Sequence, residues 1–264
     1  MDTPPTPRGS SERLFVTLLA DPQIWAVVQA LSQGDAHAAD LQIQTGTTLP
    51  ALTSALGQLR EAGLITSRAS DADPQMRYYQ LRVDQLYTLA QTSLGALHPA
   101  LALAPPSDVW SAPSLPDRLR VLFLCTHNSA RSQIAEGLLR MFSGGAIDAA
   151  SAGVAPSRLH PQAHAALERV GADTAPLYSK HVDIFAGQHF DYVITVCDQA
   201  REVCPTFHNA DRQLHWSLPD PSAAEEPRQP KAFQSVAIEL AQRIRYLLSF
   251  IERDRRQAGA GATA

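Results

Sequence analysis

The sequence has few of the residues that would point to several broad classes of protein. It contains three cysteines in 264 residues, an odd number and too few for a disulfide-stabilised scaffold. Its 22 Lys and Arg do not exceed its 26 Asp and Glu, which argues against a surface adapted to nucleic acid. No apolar run is long enough to span a membrane, and the N-terminus shows no signal-peptide pattern. We therefore expect a cytoplasmic protein without a membrane segment, whose cysteines are catalytic, metal-binding or part of a core.

Composition divides the chain into two predicted domains. Residues 1–10 are polar and Pro-rich and are expected to be a disordered tail, and the pattern over 11–98 is mainly helical. Five prolines in the twenty residues from 98 to 117 disfavour regular structure, so 99–117 is interpreted as a linker. Strand-like and helix-like segments alternate over 118–256, and 257–264 is expected to be a flexible tail. The alternation predicts an α/β fold with a doubly wound parallel sheet.

The second predicted domain carries a cysteine at the end of its first strand, in 121-VLFLCTHNSARSQIAEGLLR-140. A short loop between this strand and the next helix directs backbone N–H groups and the positive helix end at one point, which favours a tetrahedral oxyanion. The same field stabilises a thiolate at Cys125. Arg131 can hold two anion oxygens, and Ser132 can hydrogen-bond the sulfur. The predicted oxyanion-binding residues are those of the loop and the serine after it: Thr126, His127, Asn128, Ser129, Ala130, Arg131 and Ser132.

The segment CTHNSARSQIAEGLLR resembles the active-site loop of the low-molecular-weight tyrosine phosphatase superfamily. Among its members, the segment is most similar to the arsenate reductases that share that fold. The resemblance spans residues 118–252. It implies a four-stranded parallel sheet of the low-molecular-weight phosphatase type, with Cys125 as the nucleophile.

Two further cysteines distinguish a reductase from a phosphatase. A phosphatase needs one cysteine, whereas a reductase must also supply two electrons, for which a dithiol is the simplest source. Cys197 and Cys204 lie seven residues apart in VITVCDQAREVCPTF, a spacing that matches the redox pair of thioredoxin-coupled arsenate reductases. Seven helical residues span roughly 10.5 Å, whereas a disulfide needs Cα atoms within about 7 Å, so we expect this segment to loop out on oxidation. Two core cysteines, or a zinc site with His208, are the alternative interpretations.

An Asp-Pro pair in 215-HWSLPDPSAAEE-226 resembles the acid loop of the same superfamily. The resemblance makes Asp220 the general acid that protonates the departing oxygen when Cys125 attacks, and a surface Asp-Pro turn is the alternative. Phosphatases of this superfamily usually carry tyrosines after the pair, whereas Ser222 and Ala223 follow it here. Without that aromatic slot, a small inorganic oxyanion is the favoured substrate.

The resemblance implies reduction of arsenate to arsenite for arsenic detoxification. Cys125 attacks arsenic, Cys197 attacks the sulfur of Cys125 and releases arsenite, and Cys204 then attacks Cys197. An external dithiol reduces the final disulfide. Resemblance suggests thioredoxin for this role, with glutathione or mycothiol systems as alternatives.

Some arsenate reductases of this type bind a monovalent cation beside the loop. The resemblance matches Asn128, Glu136 and Ser151 to positions of that site. The remaining acidic position is expected to be taken by Lys180, whose charge would repel a cation. We therefore predict no bound metal and no bound cofactor.

Residues 20–82 predict short helices followed by a hairpin, in which LITSRAS and MRYYQL flank a DADPQ turn. The pattern resembles a winged helix-turn-helix with TLPALTSALGQLREAG as recognition helix, and LADPQIWAVVQALSQGDAHAADL is most similar to arsenic-responsive repressors. Repressors that sense arsenite usually carry two cysteines where this chain has His37 and Ala39. Residues 1–105 contain six basic against nine acidic residues, which disfavours DNA binding. Apolar helices near 11–19 and 83–97 instead predict a homodimer through this domain.

Three functions stay open from the sequence alone. The first is an arsenate reductase with an appended winged-helix domain. The second is a phosphatase acting on tyrosine-phosphorylated protein or small phosphoesters, and the third is a DNA-binding regulator tuned by the redox state of the second domain. Turnover that survives in Cys197→Ser and Cys204→Ser would favour the phosphatase over the reductase.

Overall fold

The computed structural model describes residues 10–98, 101, 118–203, 207 and 209–261. Residues 10–14, 203 and 253–261 are described by their backbone alone. Most of the predicted tail 1–10 and linker 99–117 therefore lies outside the described residues, as do Cys204 and His208. The chain divides into two compact units, residues 1–106 and 107–264, and each is described by itself.

The described part of the first unit combines helices with a small antiparallel sheet. Its elements are α1 (Ser10–Leu19), α2 (Pro22–Ser32), β1 (Ala36–His37), α3 (Ala38–Thr45), α4 (Leu49–Glu61), β2 (Ile65–Ala69), β3 (Arg77–Leu81) and α5 (Val83–Leu97).

Local chemistry explains where the elements of this unit begin and turn. Helix α2 starts after Asp21, whose carboxylate accepts the backbone N–H groups of Gln23 and Ile24 at 2.8 and 3.1 Å. The sheet order is β1-β3-β2, and the hairpin predicted around the DADPQ turn is present as β2 and β3. Helix α2 packs on α4 and α1 packs on α5 around a core of aliphatic side chains that also includes Phe15.

The second unit contains the predicted alternation of strands and helices. Its described elements are β4 (Arg120–Cys125), α6 (Arg131–Phe142), β5 (Asp148–Gly153), α7 (Pro161–Arg169), β6 (Phe190–Thr195), α8 (Asp198–Val203), β7 (Ala210–His215) and α9 (Gln229–Gly261). The four strands pair in parallel in the order β5-β4-β6-β7. The four-stranded parallel sheet expected from the sequence is therefore confirmed.

Strand β4 is buried on both of its faces, as an inner strand of a parallel sheet should be. Val121, Phe123 and Cys125 alternate onto the face covered by α6, α7 and α9, where they join the largest core of the unit. Leu122 and Leu124 point to the other face and pack in a separate apolar cluster. This alternation explains why VLFLC is apolar throughout rather than at every second residue.

The strand register brings the carboxyl ends of the sheet to one edge. Cys125 is level with Gly153 on β5, and Thr195 on β6 is level with His215 on β7. The loops that follow these strands therefore emerge side by side. This edge is where doubly wound sheets place their ligands.

The C-terminal helix is longer than the sequence analysis expected. The second domain was predicted to end at 256 and to be followed by a flexible tail over 257–264, but the backbone of α9 stays helical through Gly261. The segment RRQA (255–258) favours continuation of the helix, whereas Gly259 and Gly261 in its last turn do not. Among the residues that the structure describes, no helix combines the length and apolar character needed to cross a membrane.

Candidate active site

The sulfur of Cys125 lies in the loop between β4 and α6 and is almost fully buried, with 4% of the residue exposed. The hydroxyl of Ser132 is 2.9 Å from this sulfur, and the backbone N–H of Asn128 donates to it at 3.1 Å. Helix α6 begins at Arg131, so its N-terminal end faces the same loop. The backbone N–H of Asn128 and the helix end thus direct positive partial charge at this sulfur.

Asn128 fixes the shape of the loop from a strained backbone conformation. Its φ is 45°, the left-handed region that a side chain seldom adopts. Its side-chain amide donates to the hydroxyls of Ser132 and Ser151 at 2.9 and 2.8 Å, and its Oδ1 accepts the backbone N–H of Lys180 at 2.7 Å. Its buried side chain thus ties the loop to α6, to β5 and to the segment after α7.

The other predicted loop residues contribute mainly through their backbone. The carbonyl oxygens of Thr126, His127 and Ser129 each accept a backbone N–H of the segment 155–160 at 2.9 Å. The side chain of His127 is exposed, and Ala130 is buried immediately before α6. These hydrogen bonds hold the loop against residues 155–160, which follow β5.

Arg131 and Asp220, both predicted to be catalytic, lie next to each other at the same edge of the sheet. Arg131 Nη1 donates to the carbonyl oxygen of Leu218 at 2.9 Å, and Arg131 Nη2 lies 3.3 Å from a carboxylate oxygen of Asp220. The other Asp220 oxygen accepts the backbone N–H of Ser222 at 3.0 Å. The arginine is nearly buried and the Asp220 side chain is about one-third exposed, so an anion can be held inside while the acid stays accessible.

Cys197 lies at the side of the Cys125 loop, just after β6. Its thiol is buried, with the Thr126 hydroxyl at 3.4 Å and the backbone N–H of Ala200 donating to the sulfur at 3.4 Å. Burial raises the pKa of this thiol, and a negative charge on Cys125 raises it too, whereas Arg131 and the two hydrogen bonds lower it. The two described cysteines are thus near enough to influence each other. Cys204 lies outside the described residues.

The ammonium group of Lys180 lies beside the residues that were matched to a monovalent-cation site, Asn128, Glu136 and Ser151. Lys180 Nζ lies 3.4 Å from Glu136, which also contacts Ser151 at 2.5 Å and Arg140 at 2.6 Å. Burial lowers the pKa of Lys180, although Glu136 opposes this effect. No group of three or more His, Cys, Asp or Glu side chains in the described parts of the chain is arranged to hold a metal ion.

Sequence reasoning missed several residues that shape the site. Asp198, His215 and Ser217 form a buried hydrogen-bonded group beside Cys197. Gly153 lies against the loop so closely that a Cβ atom would be 2.6 Å from the Thr126 carbonyl oxygen. Gly153 and Asp198 end or closely follow strands predicted from the sequence, so their position was a signal, whereas no strand was predicted before His215 and Ser217.

Together these residues can perform thiol chemistry on a small anion. The loop places the sulfur of Cys125 at the N-terminal end of α6, Arg131 carries a positive charge at the same edge, and the carboxylate of Asp220 lies beside that arginine. A second sulfur, that of Cys197, lies beside the first. A pocket that only hydrolyses a phosphoester needs no such second sulfur.

Comparison with known proteins agrees with this arrangement. The family model described as Low molecular weight phosphotyrosine protein phosphatase matches residues 120–257. An arsenate reductase of Halalkalibacterium halodurans is 35% identical over 127 residues, which are 47% of this chain and 91% of the relative. A glutaredoxin arsenate reductase of Synechocystis sp. is 31% identical over 132 residues, which are 50% of this chain and 98% of the relative.

Solved structures with similar chains include an arsenate reductase in the phosphate binding state. It is 31% identical, the match covers 50% of this chain and 98% of that chain, and the TM-score is 0.46. The Corynebacterium glutamicum thioredoxin-dependent arsenate reductase is 20% identical, with 94% of this chain and 98% of that chain covered and a TM-score of 0.42. On the match of the family model to residues 120–257, the chain belongs to the low molecular weight phosphotyrosine protein phosphatase family.

Proposed function

We propose that the chain is an arsenate reductase that passes two electrons to arsenate through three cysteines. Cys125 is the nucleophile, Cys197 is the second thiol and Cys204 is the third. The observation that carries the proposal is the buried Cys197 beside the Cys125 loop, with Thr126 of that loop 3.4 Å from its sulfur. The relatives named arsenate reductase, which are 31–35% identical, support the same activity.

The first step forms a bond between sulfur and arsenic. The Cys125 thiolate attacks arsenic(V), and an arsenate hydroxyl group leaves as water after Asp220 gives it a proton. Arg131 and the backbone N–H groups of the loop hold the remaining oxygens. This step changes no oxidation state.

The second step transfers the electrons. The Cys197 thiolate attacks the sulfur of Cys125, the sulfur–arsenic bond breaks, and its electron pair stays on arsenic. Arsenic(V) becomes arsenic(III) and leaves as arsenite, while the two sulfurs become a disulfide. Cys204 then attacks Cys197, which releases the Cys125 thiolate and leaves a Cys197–Cys204 disulfide.

An external dithiol completes the cycle by reducing the Cys197–Cys204 disulfide. Thioredoxin is the proposed reductant, and no bound cofactor or metal takes part. The cytoplasm is the proposed location, because thiols are kept reduced there.

The test measures arsenite released from arsenate by the full-length chain with thioredoxin, thioredoxin reductase and NADPH. We expect catalytic turnover in the wild type and a single release of arsenite per chain in Cys204→Ser, because the cycle stops at the Cys125–Cys197 disulfide. Parallel assays with glutathione and with mycothiol identify the reductant. Wild-type protein that releases no arsenite with any of the three systems contradicts the proposal.

Phosphatase activity is the alternative function, because the matching family model is described as a phosphotyrosine protein phosphatase. It needs Cys125 but neither Cys197 nor Cys204. Hydrolysis of p-nitrophenyl phosphate by Cys197→Ser at the wild-type rate, without arsenate reduction by the wild type, would favour it. Ser222 and Ala223 occupy the positions after the Asp220–Pro221 pair and offer no aromatic surface for an aryl ester.

We further propose that residues 11–98 form a winged helix-turn-helix domain that joins two chains into a homodimer. The order of α3, α4 and the β2–β3 hairpin supports the domain type, and the packing of α1 against α5 supports a role for these helices in the dimer. Light scattering on the full-length chain should give twice the monomer mass. A salt-sensitive mobility shift with the upstream DNA would instead support a regulator.

A further inference from the structure

A buried carboxylate lies next to the second sulfur and is not explained by the oxyanion pocket. Asp198, the residue after Cys197, is 0% exposed, and its neighbours His215 and Ser217 are 3% and 2% exposed. Asp198 Oδ1 accepts a hydrogen bond from the Ser217 hydroxyl at 2.8 Å and lies 3.2 Å from His215 Nε2. Because a buried carboxylate is costly without such donors, these contacts hold Asp198 in place.

A neutral His215 imidazole can hydrogen-bond both Thr195 and Asp198. Its Nδ1 lies 2.8 Å from the Thr195 hydroxyl, and its Nε2 faces Asp198. With the proton on Nε2, the ring donates to the carboxylate and accepts at Nδ1. Thr195 and His215 are register partners on β6 and β7. Asp198 is therefore tied to two strands of the sheet.

The same carboxylate connects two segments that carry reacting groups. Asp198 is the first residue of α8 and directly follows Cys197. Ser217 lies in the loop after β7, and the next residue, Leu218, accepts the hydrogen bond from Arg131 at 2.9 Å. The contacts therefore run from the redox segment, through one buried side chain, to the loop that holds the oxyanion-binding arginine.

We propose that Asp198 is a positioning residue that keeps Cys197 directed at Cys125 while the rest of the redox segment rearranges. The inference rests on the proposed three-cysteine reduction. In that cycle Cys197 first bonds to the sulfur of Cys125, as arsenic takes the electron pair of the sulfur–arsenic bond, and later bonds to Cys204. The first bond needs Cys197 to stay at the pocket, whereas the second needs the residues after it to move.

The burial of side chains along α8 agrees with a fixed Cys197 followed by residues that move. Gln199, Arg201 and Glu202 are exposed, and Gln199 Oε1 accepts a hydrogen bond from the Thr126 hydroxyl at 3.3 Å, whereas Asp198 is fully buried. The buried side chain of Ala200 is only a methyl group, although the backbone N–H of Ala200 donates to the Cys197 sulfur at 3.4 Å. Seven residues of α-helix span roughly 10.5 Å, which exceeds the limit of about 7 Å between the Cα atoms of a disulfide, so Cys197 and Cys204 cannot join while the residues between them are all helical. The helix must open, and the contacts of Asp198 favour an opening that begins after its first residue.

The test is a single-turnover experiment on the full-length chain carrying Cys204→Ser, which stops the reaction at the Cys125–Cys197 disulfide. Reduced protein is mixed with arsenate, quenched by alkylation at timed points, and the disulfide is quantified by mass spectrometry. Asp198→Ala removes both hydrogen bonds, whereas Asp198→Asn keeps an oxygen that can accept them. The KM for arsenate is measured separately in steady state with Cys204 intact.

We expect Asp198→Ala to slow disulfide formation by at least about tenfold, because a small displacement of a reacting atom has a large effect on rate. The KM for arsenate should change by less than about twofold, since the groups that bind the anion remain. Asp198→Asn should recover most of the rate. Asp211→Ala is the matched control, because Asp211 pairs with His189 at 2.9 Å on an exposed part of the same unit.

Each other outcome counts against the inference. Disulfide formation at the wild-type rate in Asp198→Ala overturns it, and so does an equal loss in rate and in arsenate binding. If Asp198→Ala does not fold by circular dichroism, Ser217→Ala removes the hydrogen bond from the Ser217 hydroxyl to Asp198, and an unchanged rate in that variant overturns it. If the Cys204→Ser parent forms no disulfide with arsenate, the proposed function fails first and the inference fails with it.

Discussion

The hydroxyl of Thr126 lies 3.4 Å from the sulfur of Cys197, although 71 residues separate them in the sequence. Burial raises the pKa of the Cys197 thiol above its ordinary value of 9.0. The positive charge of Arg131 and the hydrogen bonds from Thr126 and Ala200 oppose this rise. A residue of the Cys125 loop therefore also favours the thiolate form of Cys197.

Thr126→Val should raise the pKa of Cys197 further, because valine cannot donate a hydrogen bond to the thiolate. The thiolate is the nucleophile, so the Cys125–Cys197 bond should form faster as the pH increases to 9.0 and beyond. In Thr126→Val this profile should move to higher pH. Thiolate absorbance, titrated in a chain with Cys125→Ser and Cys204→Ser, gives the pKa directly. Thr126→Ser keeps the hydroxyl, and identical titrations of the Val and Ser variants would contradict the assignment.

The loop around Cys125 could be predicted from the sequence because its parts are consecutive. A strand, a short loop and a helix start place Cys125, Arg131 and Ser132 around one point by local rules alone. The distant partners follow from how strands are ordered in the sheet, which local periodicity does not encode. The backbone of Lys180 meets Asn128 across 52 residues of sequence, and it does so only in the folded unit.

The burial of Asp198 also could not be predicted from the sequence. An aspartate at the start of a helix is common at the protein surface, where it interacts with the helix dipole. Here it is buried because β7 ends beside it and supplies His215 and the nearby Ser217. A sequence that reveals polar residue types does not reveal which of them are buried against each other.

Asp220→Asn should lower kcat for arsenate reduction by about 10²–10⁴-fold, because asparagine cannot give a proton to the departing oxygen. Arsenate binding should survive, since Arg131 and the loop are unchanged, and the amide oxygen can still face the arginine. The comparison is kcat and KM in the thioredoxin-coupled assay. Asp183→Asn changes an exposed aspartate elsewhere in the unit and should have no effect. A wild-type kcat in Asp220→Asn would contradict the general-acid role and favour the alternative, a surface Asp-Pro turn.

Glu136→Gln should destabilise the second unit by about 3–5 kcal/mol, the usual effect of removing one partner of a buried ion pair. Glu136 is fully buried between Lys180 and Arg140, so the substitution leaves two cations without their carboxylate. The free energy of unfolding in urea measures the loss. Glu239→Gln is a matched control, because Glu239 pairs with Arg243 at the same i,i+4 spacing at a more exposed site and should cost below about 1 kcal/mol. Equal losses in the two variants would show that the cluster is not a buried pair.

Gly153→Ala should abolish most arsenate reduction while the chain stays folded. A Cβ atom at this position would lie 2.6 Å from the Thr126 carbonyl oxygen and 2.7 Å from the Asn128 nitrogen, and both are backbone atoms that cannot rotate away. The oxyanion loop must therefore shift, and we expect kcat/KM to fall by about 100-fold or more. Gly57→Ala on α4 has no atom within 4 Å of the new Cβ and should leave kcat/KM unchanged. A Gly153→Ala chain with wild-type kcat/KM would mean that the loop is not held where the structure places it.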